Sequence, residues 1–199
     1  DRARDMYSFA FEKSRFEEFK TYFDPKKYKS LINSIDGIIE VFEELYARYG
    51  KKLFYFQEDQ IEDLDKKLVG LAKRVEKILI KDRDHKFYDQ IQDLYFDINK
   101  YMKVSESYNK GFYSTISFDP DSLEKTFEIK CIDPSQVLKN RYESAISTVF
   151  FSATLSPMDF YMKMLGADDA LKLHLPLPFD ENNFMILNSS ISTRYKDRY

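Results

Sequence analysis

The chain has 199 residues, is 43% hydrophobic and 33% charged, and carries a formal net charge of -3. This balance suits a soluble globular protein of one domain or two small ones, and excludes a strongly basic nucleic-acid wrapper though not a local basic groove. A single cysteine, Cys131, excludes an intramolecular disulfide framework and a cysteine-only zinc or iron–sulfur site within the chain; a lone thiol fits a reducing cytosol, so the expected location is cytoplasmic.

The start, DRARDMYSFAFEKS, is charged and has no signal-peptide core. No apolar run approaches bilayer-spanning length. The opening segment, with Tyr7, Phe9, Phe16, Phe19 and Phe23, reads as a helix with an irregular seam. Asp24-Pro25 reads as an N-cap followed by a first-turn proline, so a helix is expected to start there. Its seam is Ile35, Ile38, Phe42, Leu45 and Tyr49, and Gly50 reads as its stop. A second seam runs through Ile61, Leu64, Leu68, Leu71, Val75 and Ile78, and a third through Tyr88, Ile91, Tyr95, Ile98, Met102 and Ser105. Steps of three and four predict long amphipathic helices of roughly 30–35 Å each, packed as a bundle.

After Gly111 the period changes. FYSTISFD and KTFEIKCI alternate, with a turn at DPDS between them, and predict an antiparallel pair. Asp133-Pro134 starts a short helix, and TVFFSA reads as a buried strand. Ser156-Pro157 caps a further helix that ends at Gly166, and LKLHL and NFMILNS read as short strands. Strand, helix, strand is the order of an α/β layer. The expected fold is mainly α with an α/β part: a long-helix bundle joined to an incomplete α/β unit.

No complete active site is written in the chain. There is no G-x-x-x-x-G-K-[ST] and no Asp-Glu-x-His run, and five glycines leave few phosphate-cradling turns. His85 and His174 have no metal-ligand spacing with Cys131 or each other. His85 sits in the charged turn KDRDHK and reads as solvent-exposed; His174 reads as an ordinary strand histidine. Glu43-Glu44 and Asp168-Asp169 read as solvated faces, because neighbouring residues point in different directions. Lys66, Lys67, Lys73, Arg74 and Lys77 read as the solvated back of a helix. At the end of the chain Arg194, Lys196 and Arg198 interleave with Tyr195 and Tyr199. This is either a polar chain end or a grip on single-stranded nucleic acid, charge for phosphate and rings for bases. Ser152-Ala153-Thr154 has no neighbouring His or Lys to activate a nucleophile. Its hydroxyls either satisfy loop backbone groups or link two moving parts by hydrogen bonds worth about 0.5–1.5 kcal/mol each.

STVFFSATLSPMDFYMKMLG followed by LPFDENNFMILNSSISTRYKDRY resembles the third helicase motif and its sequel in superfamily 2 DNA helicases of the XPD/DinG type. CIDPSQVL is similar to the approach to that motif, and DRARDMYS to the helix that follows the family's Asp-Glu-Ala-His box. The resemblance covers both ends of the chain and orders its middle. It implies a first-motor-domain helix in residues 1–22, a helical arch domain in 23–110, a return into the RecA-like first motor domain in 111–166, and the start of the second motor domain in 172–199.

The same resemblance implies an ATP-driven helicase, typically moving 5′→3′ on single-stranded DNA threaded between arch and motor, with partner proteins at the arch. Ser152, Ala153 and Thr154 would couple ATP state to DNA movement, and Arg194, Tyr195, Lys196 and Arg198 are the candidate nucleic-acid contacts. ATP and magnesium, and in some members an iron–sulfur cluster, belong to the whole protein. Their phosphate loop, acidic box, arginine motif and cluster cysteines lie outside this sequence, so the piece is expected to bind none of them and to be inactive alone. Cys131 matches no cluster position and reads as a small buried strand residue. The competing readings are a helical module that docks a protein or nucleic acid, and a piece of a DinG-like nuclease. Because TVFFSA resembles a strand buried on both faces, its exposed edges are expected to promote self-association or a rearranged packing.

Overall fold

Stripes of aliphatic side chains at helical spacing must be buried together, and in the computed structural model, which describes residues 2–49 and 52–176, a four-stranded sheet receives them. Chain order is α1 (Arg2–Met6), β1 (Phe9–Glu12), α2 (Lys13–Lys20), α3 (Lys29–Arg48), β2 (Phe54–Gln57), α4 (Glu62–Lys81), α5 (Tyr88–Ser105), β3 (Phe112–Asp119), β4 (Glu124–Cys131), α6 (Ser135–Tyr142) and α7 (Met158–Met164). The protein is therefore mixed α/β, with seven helices and a four-stranded antiparallel sheet among the described residues. Backbone contacts divide the chain into two units, Asp1–Asp168 and Asp169–Tyr199. No described helix is long and apolar enough to cross a membrane.

The helical seams lie where periodicity places them. Ile35, Ile38, Phe42 and Leu45 of α3, and Leu64, Leu68, Leu71 and Val75 of α4, are buried. On α5 the buried line is Ile91, Leu94, Ile98, Tyr101 and Ser105, with Tyr88, Tyr95 and Met102 half-buried along its border. Each fully buried Leu or Ile contributes about 1.5–3 kcal/mol. Phe11, Ile116, Phe127 and Ile129 supply the sheet's side of the same core. Tyr101 packs its ring against Phe11 at 5.5 Å and Phe127 at 6.0 Å, joining α5 to both β1 and β4.

The β3–β4 hairpin forms as its alternation predicts, with Ile116 opposite Phe127. Pro120 to Leu123 make the turn; Asp119 accepts hydrogen bonds from the Asp121 N–H at 3.0 Å and the Ser122 hydroxyl at 2.7 Å. β1 pairs with β4 and β2 with β3, both antiparallel, giving the order β1-β4-β3-β2.

The structure corrects several expectations. The opening segment is not one helix: Phe9–Glu12 is a strand, because Phe11 buries against the core while its backbone pairs with β4. The helix expected at Asp24-Pro25 starts later, at Lys29, with Tyr28 as its cap. Asp24 instead accepts a hydrogen bond from the Lys26 N–H at 2.8 Å, a local turn that competes with helix initiation. TVFFSA and LKLHL join no described ladder; strand-forming residues become a sheet only where a neighbour completes their hydrogen bonds. The stop at Gly50 and the strand NFMILNS lie outside the described residues. His85 is half-buried: its ring lies 5.5 Å from Phe23, and its Nδ1 accepts from the Phe87 N–H at 3.2 Å.

One ionic knot ties the two layers together. Glu43 of α3 meets Lys125 of β4 at 2.8 Å and Lys13 of α2 at 3.0 Å. The Lys125 side chain is 11% exposed and lies 5.0 Å from the centre of the Tyr46 ring. The hydrogen bond from Lys125, aided by Lys13, holds the Glu43 carboxyl below its usual range despite desolvation. Because the Glu43 side chain is 48% exposed and solvent screens the pair, Glu43→Gln should cost only about 0.5–1 kcal/mol at pH 7, as the Lys125 ammonium loses its ionised partner. A carboxyl depressed in the folded state stabilises above its unfolded pKa, roughly 4.3, and loses that contribution as pH falls through the folded value. Urea denaturation should show the full gap between wild type and variant at pH 7, closing below about pH 4.

Candidate functional site

Ser152, Ala153 and Thr154 lie on the segment between α6 and α7. Asp133 Oδ1 accepts from the Ser135 N–H at 2.9 Å, so Asp133-Pro134 does begin α6 as expected. After α6 the chain runs through residues 146–151 without a ladder partner. Val149 is 79% and Phe151 89% exposed, while Phe150 keeps one ring contact, with Tyr142 at 5.6 Å.

At the end of this segment Ser152 Oγ accepts from the Thr154 N–H at 3.1 Å and lies 3.1 Å from Thr154 Oγ1. This is a local hydroxyl turn of the kind serine favours in loops. Both side chains are exposed. The arrangement presents two hydroxyls at a corner and gives neither an activating base, so its chemistry is hydrogen bonding to a group that approaches from outside.

Helix α7 follows Pro157, which occupies the cap position without a side-chain cap bond, so Ser156 does not cap the helix. Its end is closed firmly. The Gly166 N–H donates to Lys163 O at 3.0 Å and the Ala167 N–H to Met162 O at 2.8 Å, the paired pattern of a glycine-terminated helix. Gly166 has φ +64°, and a Cβ there would stand 2.3 Å from Ser135 O. The Tyr142 hydroxyl donates to Leu165 O at 3.0 Å and also bonds Gly166 O. Both ends of α6 thus grip the end of α7, and the Ser152–Thr154 corner hangs between the two clamped helices.

Arg194, Tyr195, Lys196 and Arg198 lie outside the described residues. The basic stretch of α4 behaves as a solvated face: Lys66 pairs with Glu62 and Lys67 with Asp63, both at 3.0 Å. His174 is exposed. Cys131 is buried, and desolvation pushes its thiol up to about 11. A neutral, enclosed thiol is a poor ligand and a poor nucleophile.

Sequence reasoning passed over two open grooves that share Asn109 and Lys110. One, of about 340 Å³, is lined also by Asp133 and Ser135. The other, of about 560 Å³, is lined also by Glu58, Asp59, Gln60 and Tyr108. Behind the second lies a polar network: Gln60 Nε2 donates to Asp65 Oδ2 at 2.7 Å, the Ser105 hydroxyl donates to the same oxygen at 2.9 Å, and the Tyr101 hydroxyl donates to Asp65 Oδ1. Burial, then the Asp65 charge, drives the Tyr101 phenol well above its ordinary value, so it stays a donor. The only advance signal was Ser105 at a seam position, where an apolar residue was due. Among the described residues no three His, Cys, Asp or Glu side chains converge as metal ligands.

The sequence matches no protein-family model and no curated protein.

Replacing Gly166 with Ala would force a positive φ on a residue with a Cβ and push that Cβ into Ser135 O. Hydrogen exchange should read this as faster amide exchange across residues 135–165, with protection of α3, α4 and α5 unchanged.

Proposed function

We propose that this chain is a piece of an ATP-dependent DNA helicase of the XPD/DinG type. In this reading the arch that guides single-stranded DNA, expected in residues 23–110, also takes in the β3–β4 hairpin, since that hairpin pairs with β2 and shares the core of α3, α4 and α5. The later part of residues 111–166, from α6 onward, belongs to a RecA-like motor domain completed by residues outside this sequence. Ser152 and Thr154 relay the ATP state to DNA movement.

The observation that carries the reading is the position of the hydroxyl pair. It sits at an exposed corner, directly after an apolar, β-rich segment without ladder partners, and between two helices clamped at Gly166. A relay needs hydroxyls free to exchange partners and a stiff mount that transmits the change; a nucleophile would need a base. Bonds of about 0.5–1.5 kcal/mol each bias a conformational equilibrium without driving chemistry. The long helices α3, α4 and α5 suit a guiding lid.

The chain's one cysteine, Cys131, does not fit an iron–sulfur cluster. The one thiol is buried and held protonated by its surroundings.

In the whole helicase, Ser152→Ala combined with Thr154→Ala should leave ATP binding intact and lower the base pairs unwound per ATP hydrolysed by about tenfold, the equivalent of roughly two lost hydrogen bonds. A ratio unchanged from wild type would remove the relay role.

A further inference from the structure

Strand β2 closes one side of the sheet, and no described strand pairs with its outer edge. The register fixes which groups face outward. The Phe118 N–H donates to Leu53 O at 2.8 Å, and Tyr55 lies opposite Ile116. Hydrogen-bonding direction alternates along an antiparallel strand. Leu53, Tyr55 and Gln57 therefore turn their amides toward β3, and Phe54 and Phe56 turn their N–H and C=O groups to the open edge.

The side chains add two facts. Phe54 and Phe56 are 56% and 58% exposed on the face away from the helices, with ring centres 6.5 Å apart. Tyr55 points to the opposite face, where it stacks on Tyr49 at 3.6 Å. The stretch Lys52-Leu53-Phe54-Tyr55-Phe56-Gln57-Glu58 begins on an exposed cation and ends on an exposed anion.

A strand with these properties is complementary to itself. When two copies lie antiparallel about Tyr55, Phe54 of one faces Phe56 of the other. Lys52 then faces Glu58, and both pairings occur twice by symmetry. This register joins the outward N–H and C=O groups of Phe54 to those of Phe56 in the second copy. It also stacks exposed rings across the seam on one face and sets opposite charges at both ends. A slip of two residues would set Lys52 against Phe56 and lose the ion pairs. An exposed edge strand normally carries a device against such pairing; here the charges favour it.

We propose that β2 is a homodimerisation strand: two copies of the chain pair β2 to β2 in antiparallel register about Tyr55, making one sheet continuous across both subunits. The contact does not depend on the helicase reading, because it uses no residue of the Ser152–Thr154 corner.

Sedimentation equilibrium of the full chain tests it with Lys52→Glu, Glu58→Lys and an equimolar mixture of the two variants, with circular dichroism to verify that each folds. Wild type should dimerise. Each reversal alone sets like charges together at both ends of the seam and should raise the dimer dissociation constant about tenfold or more. The mixture restores opposite charges at both ends and should recover wild-type association. A wild-type chain that stays monomeric overturns the proposal. So does association that neither reversal weakens, as expected if exposed Val149 and Phe151 made the contact, and so does a mixture no stronger than the separate variants.

Discussion

Helices α3, α4 and α5 each carry a line of aliphatic side chains that water excludes; α3 lies against β3 and β4, α5 against β1 and β4, and α4 packs on α3 and α5. Ile35, Ile38, Leu64, Leu68, Leu71, Ile91 and Ile98 meet Ile116, Phe127 and Ile129 in one continuous core. Everything else hangs from that contact. β1 and β2 are four residues each, too short to persist alone, and hold only because β4 and β3 offer them ladders. Glu43 can bridge Lys13 and Lys125 only once α3 lies across β4.

Polar groups inside this core are confined to places where every partner is supplied. Asp65 is the clearest instance. Tyr101, Ser105 and Gln60 all donate to its two oxygens, so α4, α5 and the turn after β2 are stitched at one point. An unpartnered carboxylate there would be costly. The network stands directly behind the groove that includes Tyr108 and Lys110, and it makes that wall of the groove rigid.

The α6–α7 part is built on a different plan. It rests on backbone closure rather than on buried area: a glycine that accepts a positive φ, a tyrosine hydroxyl on two terminal carbonyls, and a close approach to Ser135 O. Residues 146–151 leave this clamp with their apolar side chains largely outside. The protein thus carries two kinds of unfinished strand. β2 is formed and lacks a neighbour on one edge. Residues 146–151 have strand-forming composition and lack neighbours on both.

The sequence by itself determined the three long helices, the β3–β4 hairpin with its turn, the starts of α6 and α7, the stop at Gly166 and the burial of Cys131. Each is a local matter of period, turn chemistry or a glycine at a helix end. It also marked Ser152 and Thr154 as hydroxyls without a base. Only the tertiary structure decided that Phe9–Glu12 and Phe54–Gln57 are strands, since four residues carry too little period to declare themselves and their ladders come from partners more than fifty residues away. It alone left TVFFSA unpaired, because a strand is a relation between segments and composition supplies only one side of it. It alone also drew Asp65, Tyr101, Ser105 and Gln60 together and opened the grooves beside Tyr108. Those residues are scattered in sequence, and packing the helices on the sheet is what makes them neighbours.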